Sequence, residues 1–102
     1  MGVRVVNKKL FKGEGVYIGR PSVLGNPFAI GRDGDREEVI ARYRAWLWEQ
    51  VAARNEMFAE LVKIKGMAER EEVYLICWCK PLTCHGDVVA SCVEWMIREG
   101  IG

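Results

Sequence analysis

The chain of 102 residues has room for one hydrophobic core, and 50% of it is hydrophobic, so it is not a disordered tail and reaches stability without disulfides or a structural metal. Fifteen Lys and Arg against fourteen Asp and Glu leave a net charge of +1, which excludes a strongly basic nucleic-acid or membrane footprint but not a local patch. No apolar run approaches the ~18 residues of a membrane span. The apolar part of Met1 to Val6 is too short for a signal peptide, and position 6 lacks the Ser or Thr of a myristoylation signal, so a cytoplasmic address is expected. One Gln, three Asn and two Ser against eleven Glu and nine Arg lean towards a thermophile.

In chain order, the β-branched run Val3 to Asn7 predicts a strand, and the basic, Gly-flanked stretch from Lys8 to Gly15 a surface loop. Val16 to Gly19 predicts a second strand. Arg20 to Phe28 holds two Pro and one Gly and cannot be regular; a connection that long is often functional. Asp35 opens a helix, with Glu38 at capping-box spacing. Val39, Ile40, Tyr43, Trp46, Leu47 and Val51 form its apolar stripe. Asn55 caps a second helix carrying Phe58, Leu61, Val62 and Ile64, expected to stop at Gly66 before a charged turn over 67–72.

Val73 to Trp78 is nearly all apolar, the pattern of a central strand buried on both faces. After a loop over Cys79 to Thr83, a last helix begins at Thr83 or Cys84, turns Val88, Val89, Cys92, Val93 and Met96 inward and ends at Gly100. The order is β-β-α-α-β-α. The long helical crossover suits parallel strands, so the expected fold is a single small α/β domain over 1–102, with helices packed on a short, largely parallel, Rossmann-like sheet. Trp46 fits the core. Trp48 and Trp95 fall off their stripes, which predicts either exposed rings on a partner or homodimer surface, or a half-buried edge.

The chemistry concentrates in Cys77-Trp78-Cys79-Lys80-Pro81-Leu82-Thr83-Cys84-His85-Gly86-Asp87, which runs from a strand end into the first turn of a helix. Ligands of open α/β sheets bind at such ends, and free amides at the helix start, around Gly86, favour anions. Three alternatives stand open. Cys77 and Cys79 form a zinc site closed by Cys84 or His85, although those two neighbours do not easily both reach one ion. Or Cys84 is reactive or ligand-facing, its thiolate favoured by the helix dipole, beside a His85 held neutral and an Asp87 that orients a partner. Or the cysteines are core and His85 a cap. Cys92 is read as core.

The second constellation is the 19–28 loop. Arg20 offers a planar fork for phosphate, Ser22 and Asn26 hydrogen bonds to a sugar or base, and Phe28 a stacking face, while Gly19 and Gly25 allow close backbone approach. The plain structural alternative is a rigid loop in which Arg20 pairs with an acidic neighbour. Neither a Walker pattern nor GxGxxG is present.

Val16-Tyr17-Ile18-Gly19-Arg20, Gly25-Asn26-Pro27-Phe28, Tyr43-Arg44-x-Trp46-Leu47 and Cys77-Trp78-Cys79-x-Pro81-x-x-Cys84-His85-Gly86-Asp87-Val88 together resemble the DUF4326 family of bacteria, archaea and their viruses, over nearly the whole chain. The resemblance implies the same two segments as the centre of the site and no particular activity. A fold-level likeness to small Rossmann-like domains that bind or cleave nucleotides adds an analogy.

The leading expectation is a nucleotide-type ligand between the two loops: Arg20 and the helix start at Cys84 hold the anionic group, Asn26 and Phe28 meet base or sugar, and His85 and Asp87 lie near any reacting bond. Binding alone, hydrolysis and transfer all fit, and no resident cofactor is expected. The competing expectations are a zinc-stabilised module touching nucleic acid through Lys8, Lys9 and Lys12, and a viral or mobile-element protein that binds a partner through exposed Trp residues.

Overall fold

The computed structural model describes residues 2–80 and 82–102; Met1 and Pro81, the latter within the loop expected over 79–83, lie outside the described residues. The elements are β1 (Gly2–Asn7), β2 (Val16–Tyr17), α1 (Arg36–Ala53), α2 (Glu56–Ala68), β3 (Glu72–Cys77) and α3 (His85–Glu99). The sheet order is β1-β3-β2, and both pairings are parallel. This is a small compact α/β domain with three helices and a short parallel sheet.

β3 is central because its apolar run pairs on both edges: Val5 faces Leu75 in one register and Val16 faces Leu75 in the other. Its side chains alternate in burial. Val73, Leu75 and Cys77 are buried with Val3 and Val5 beneath the helices, where Leu61, Ile64, Val89, Val93 and Met96 complete the core. Tyr74 and Ile76 are half-buried on the opposite face, where the ring of Phe11 lies 4.7 Å from that of Tyr74. The expectation of a strand buried on both faces is therefore corrected. The core and helices cover one face, and the 8–15 loop partly shields the other with its own aromatic ring. Continuous apolarity marks β3 because both Tyr74 and Ile76 find that thinner cover.

Local signals set the helix ends. Asp35 caps α1 with a complete capping box, its Oδ1 accepting from Glu38 N at 2.9 Å while Glu38 Oε1 accepts from Asp35 N at 3.0 Å. Asn55 caps α2 by accepting from Met57 N. α2 runs through Gly66 to Ala68, which corrects the stop expected at that glycine. Gly66 lacks a positive φ, and Leu61, Ile64, Lys65 and Ala68 continue the buried stripe past it, so packing outweighs the ~1 kcal/mol that glycine costs a helix. α3 does end at Gly100, in the left-handed region at φ 66°. The second strand is shorter than expected, Val16–Tyr17, although Ile18 N still donates to Ile76 O at 3.0 Å.

Gly86 decides how closely α3 sits on the sheet. A Cβ there would lie 2.8 Å from Val5 Cγ1 and 2.9 Å from Ile18 Cδ1. Gly86→Ala is expected to destabilise by about 1–3 kcal/mol through overpacking, seen as a lower denaturation midpoint at unchanged m-value. An unchanged midpoint would show that the helix has room to shift.

Candidate functional site

The carboxyl ends of β2 and β3 open onto a cavity of about 480 Å³. Its walls come from four places: the strand ends at Tyr17 and Cys77–Cys79, the loop from Gly19 to Ile30, the first turns of α1 at Arg36, Val39 and Ile40, and the start of α3 at Cys84 and His85. The volume lies within the range of small-molecule sites, and the position is where α/β sheets bind ligands.

The two constellations singled out from the sequence thus meet, but not all their members face the cavity. Gly19, Arg20, Asn26, Phe28, Cys77, Cys79, Cys84 and His85 line it. Ser22 lines a separate cavity of about 120 Å³ with Tyr17, Val23, Leu24 and Glu60, and its buried hydroxyl has no hydrogen-bond partner among the described residues. Gly25 lies in a tight double turn, its N–H donating to Ser22 O while Ser22 N donates to Gly19 O, with backbone 3.1–3.2 Å from where its Cβ would be. Gly86 faces Val5 and Ile18. Asp87 completes the capping box of α3: its Oδ2 accepts from Cys84 N at 3.1 Å, and its Oδ1 meets Lys80 Nζ at 2.7 Å. That ion pair raises the Lys80 pKa, chiefly through the hydrogen bond to Asp87.

Arg20 binds its own loop. The Arg20–Pro21 peptide is cis, and Arg20 Nε donates to Asn26 O at 2.7 Å and Nη2 to Phe28 O at 3.0 Å. One edge of the guanidinium fork is thereby used by carbonyls, not by the acidic neighbour weighed as the structural alternative. Asn26 Oδ1 accepts from Phe28 N at 2.9 Å and tightens the same turn. Arg36, at the start of α1, donates from Nη1 to Thr83 O at 3.0 Å and ties that helix to the loop before α3. Two guanidinium groups therefore line the cavity, each held in place by main-chain carbonyls.

An aromatic chain joins these parts. Phe28 meets Trp46 edge-on at 6.2 Å, Trp46 lies 5.7 Å from Tyr43, and Tyr43 lies edge-on to His85 at 5.0 Å. Tyr43 is fully buried and donates its hydroxyl to Leu24 O at 2.7 Å. Burial drives its phenol pKa well above the ordinary range, so it stays a neutral donor. At the other wall Trp78 Nε1 donates to Tyr17 Oη at 3.1 Å, Tyr17 donates to Arg20 O at 2.8 Å, and Lys8 Nζ sits 5.7 Å and 5.9 Å from the two ring centroids. Asn7, at the end of β1, anchors the loop after β3 by donating to Trp78 O and Lys80 O.

Sequence reasoning passed over Tyr17, Trp78 and Arg36 as site residues. Tyr17 ends β2 and Trp78 directly follows β3, so each is an aromatic ring at the loop end of a strand, which is the available signal. For Arg36 a lone arginine in a helix's first turn gave none. Trp48 and Trp95 pack edge-on at 4.8 Å; Trp48 is exposed, and Trp95 is half-buried against the core, as the edge alternative has it.

His85 is 7% exposed, and its Nε2 lies 2.8 Å from Ile18 O. A carbonyl only accepts, so Nε2 carries the proton and Nδ1 keeps a lone pair. Burial lowers the pKa of the ring, which outweighs the opposing hydrogen bond to Ile18. Neutral His85 is a proton acceptor on the cavity wall. A pH dependence follows, with the single histidine of the chain as its source. A folded-state pKa below the unfolded value of about 6.5 means that the unfolded chain binds the proton first. Stability from this group is full above pH ~6.5, falls by up to about 1.4 kcal/mol per pH unit as the pH drops towards the lowered folded value, and levels off below it. Denaturant midpoints between neutral and mildly acidic pH measure the slope, and a flat profile there would contradict it.

Cys77 Sγ and Cys84 Sγ are 3.3 Å apart, on the end of β3 and the N-cap of α3. The first proton lost is shared across the pair. The Cys77 thiol is pulled below its ordinary range by the Cys84 S–H and the amides of Cys79 and Lys80, and Cys84 is pushed up by its bond to Cys77 and by burial. Cys92, buried under α3, is raised to about 11 by desolvation. Among the described residues no three His, Cys, Asp or Glu side chains converge as a metal ion requires, Cys77, Cys79 and Cys84 included. No helix among the described residues is long and apolar enough to cross a membrane.

Comparison with known proteins places this chain in a family. A protein of Enterobacteria phage T4, described as an uncharacterized 12.4 kDa protein in the nrdA-td intergenic region, is 33% identical over 98 residues, covering 94% of this chain and 82% of that protein. No solved structure matches the chain. Residues 3–95 match the domain of unknown function DUF4326 from the first strand through most of the last helix, and the chain belongs to that family.

Proposed function

We propose that the cavity binds a nucleotide-type anionic small molecule. The observation that carries the reading is the lining itself: Arg20 and Arg36, each positioned by carbonyls, share one cavity with the rings of Tyr17, Phe28 and Trp78 and the neutral imidazole of His85. Guanidinium groups answer phosphate, aromatic faces answer a base, and a pre-positioned cation loses little freedom on binding. Arg20 keeps Nη1 for the anion, and the His85 lone pair accepts a hydrogen bond from an N–H or O–H of the ligand. Hydrolysis is served by the same lone pair when it takes a proton from an attacking water, and group transfer when it takes one from an acceptor hydroxyl. Asp87, engaged with Cys84 N and Lys80, acts in this reading by holding the start of α3.

A thermal-shift series with a nucleoside, inorganic phosphate and the corresponding nucleoside mono-, di- and triphosphates tests this. Ligand at 100 times its Kd stabilises by about 2.7 kcal/mol, so a phosphorylated nucleoside is expected to raise Tm by several degrees while the separate halves raise it less. No shift with any nucleotide at millimolar concentration would overturn the proposal.

A further inference from the structure

We propose that Cys77 and Cys84 form a redox-active dithiol that a small hydroperoxide, entering through the cavity, converts to an intramolecular disulfide. The claim stands apart from the nucleotide reading, since it needs only the sulfurs and an opening that admits a peroxide.

Three observations carry it. The sulfurs are already in contact at 3.3 Å, so a small side-chain rotation brings them to bonding distance. Both residues line the cavity although each is nearly fully buried, which admits a small oxidant from that side and keeps larger thiols out. And the pair meets a backbone donor: Gly86 N–H points at Cys84 Sγ at 3.3 Å, while the two sulfurs share a hydrogen bond of their own. Donors converging on a sulfur stabilise the thiolate, the form that attacks. Cys92 has none of these features and lies in the core.

The Cys77 thiolate attacks the distal oxygen of the peroxide, the O–O bond breaks, and the leaving oxygen departs as water or alcohol after taking a proton. Cys77 is then a sulfenic acid. Cys84 attacks that sulfur, the S–S bond forms, and the S–O bond breaks with loss of water. Two thiols are oxidised by two electrons and one peroxide is reduced. A dithiol reductant restores the pair by exchange.

Intact-mass measurement of the reduced protein with one equivalent of hydrogen peroxide is the test, followed by peptide mapping. The expected result is a loss of about 2 Da, reversed by dithiothreitol, mapped to a Cys77–Cys84 link and retained in Cys92→Ser and Cys79→Ser. In Cys84→Ser the reaction is expected to stop with about 16 Da added at Cys77, trapped by dimedone. Thiols that stay reduced, a link through Cys79 or between two chains, or oxygen added without cross-linking in the wild-type protein would each overturn the proposal.

Discussion

Tyr43→Ala is expected to cost about 3–5 kcal/mol, the range for deleting a buried aromatic ring, and so to remove a large part of a typical domain's 5–15 kcal/mol. Tyr43 has no exposed surface, packs against Trp46 and His85, and holds the 19–28 loop through its bond to Leu24 O. Tyr43→Phe separates these roles. It keeps the ring and leaves the Leu24 carbonyl without its donor, which costs about 1–3 kcal/mol. At roughly 4–8 °C per kcal/mol for a domain of this size, thermal unfolding resolves the two variants. Equal Tm values for wild type and Tyr43→Phe would show that the hydroxyl does not hold the loop.

His85→Gln is expected to leave the fold near wild type while weakening nucleotide binding about tenfold, equivalent to about 1.4 kcal/mol. The Gln side-chain amide reaches where Nε2 stood and donates to Ile18 O, so the buried carbonyl stays satisfied. What disappears is the Nδ1 lone pair, together with the only titrating imidazole. The variant should therefore also show a shallower stability slope below pH ~6.5, a readout that simple loosening of the fold would not give. Unchanged affinity in a folded His85→Gln protein would return His85 to a purely structural role.

The elements were legible because local chemistry and burial agree. Asp35 with Glu38, Asn55 and Gly100 mark helix ends by the bonds they make, and each does so in the structure. Gly66 misled because a glycine within a helix and one ending it look alike until the buried stripe beyond it is weighed. At β3, composition identified a central strand, but the number of covered faces depends on where Phe11 lies, which no periodicity in β3 encodes. The site shows the same division. The two loops stand out in the sequence because rare residue types crowd there. How their members divide is not legible, because Ser22, Gly25, Gly86 and Asp87 serve turns, packing and a cap, and residue type alone does not separate those uses from ligand contact. Arg36 and Trp78 join the cavity only through tertiary contact.

Titration of the isotope-labelled protein with a nucleoside monophosphate, followed by amide NMR shifts, decides whether the cavity is the binding site. Saturable shifts are expected at Gly19, Asn26, Phe28, Cys79 and His85, which surround the cavity, with Arg4 and Tyr74 on the far face of the sheet unmoved. Saturable shifts centred on Arg4, Tyr74 and Phe11, or none anywhere at millimolar ligand, would contradict it.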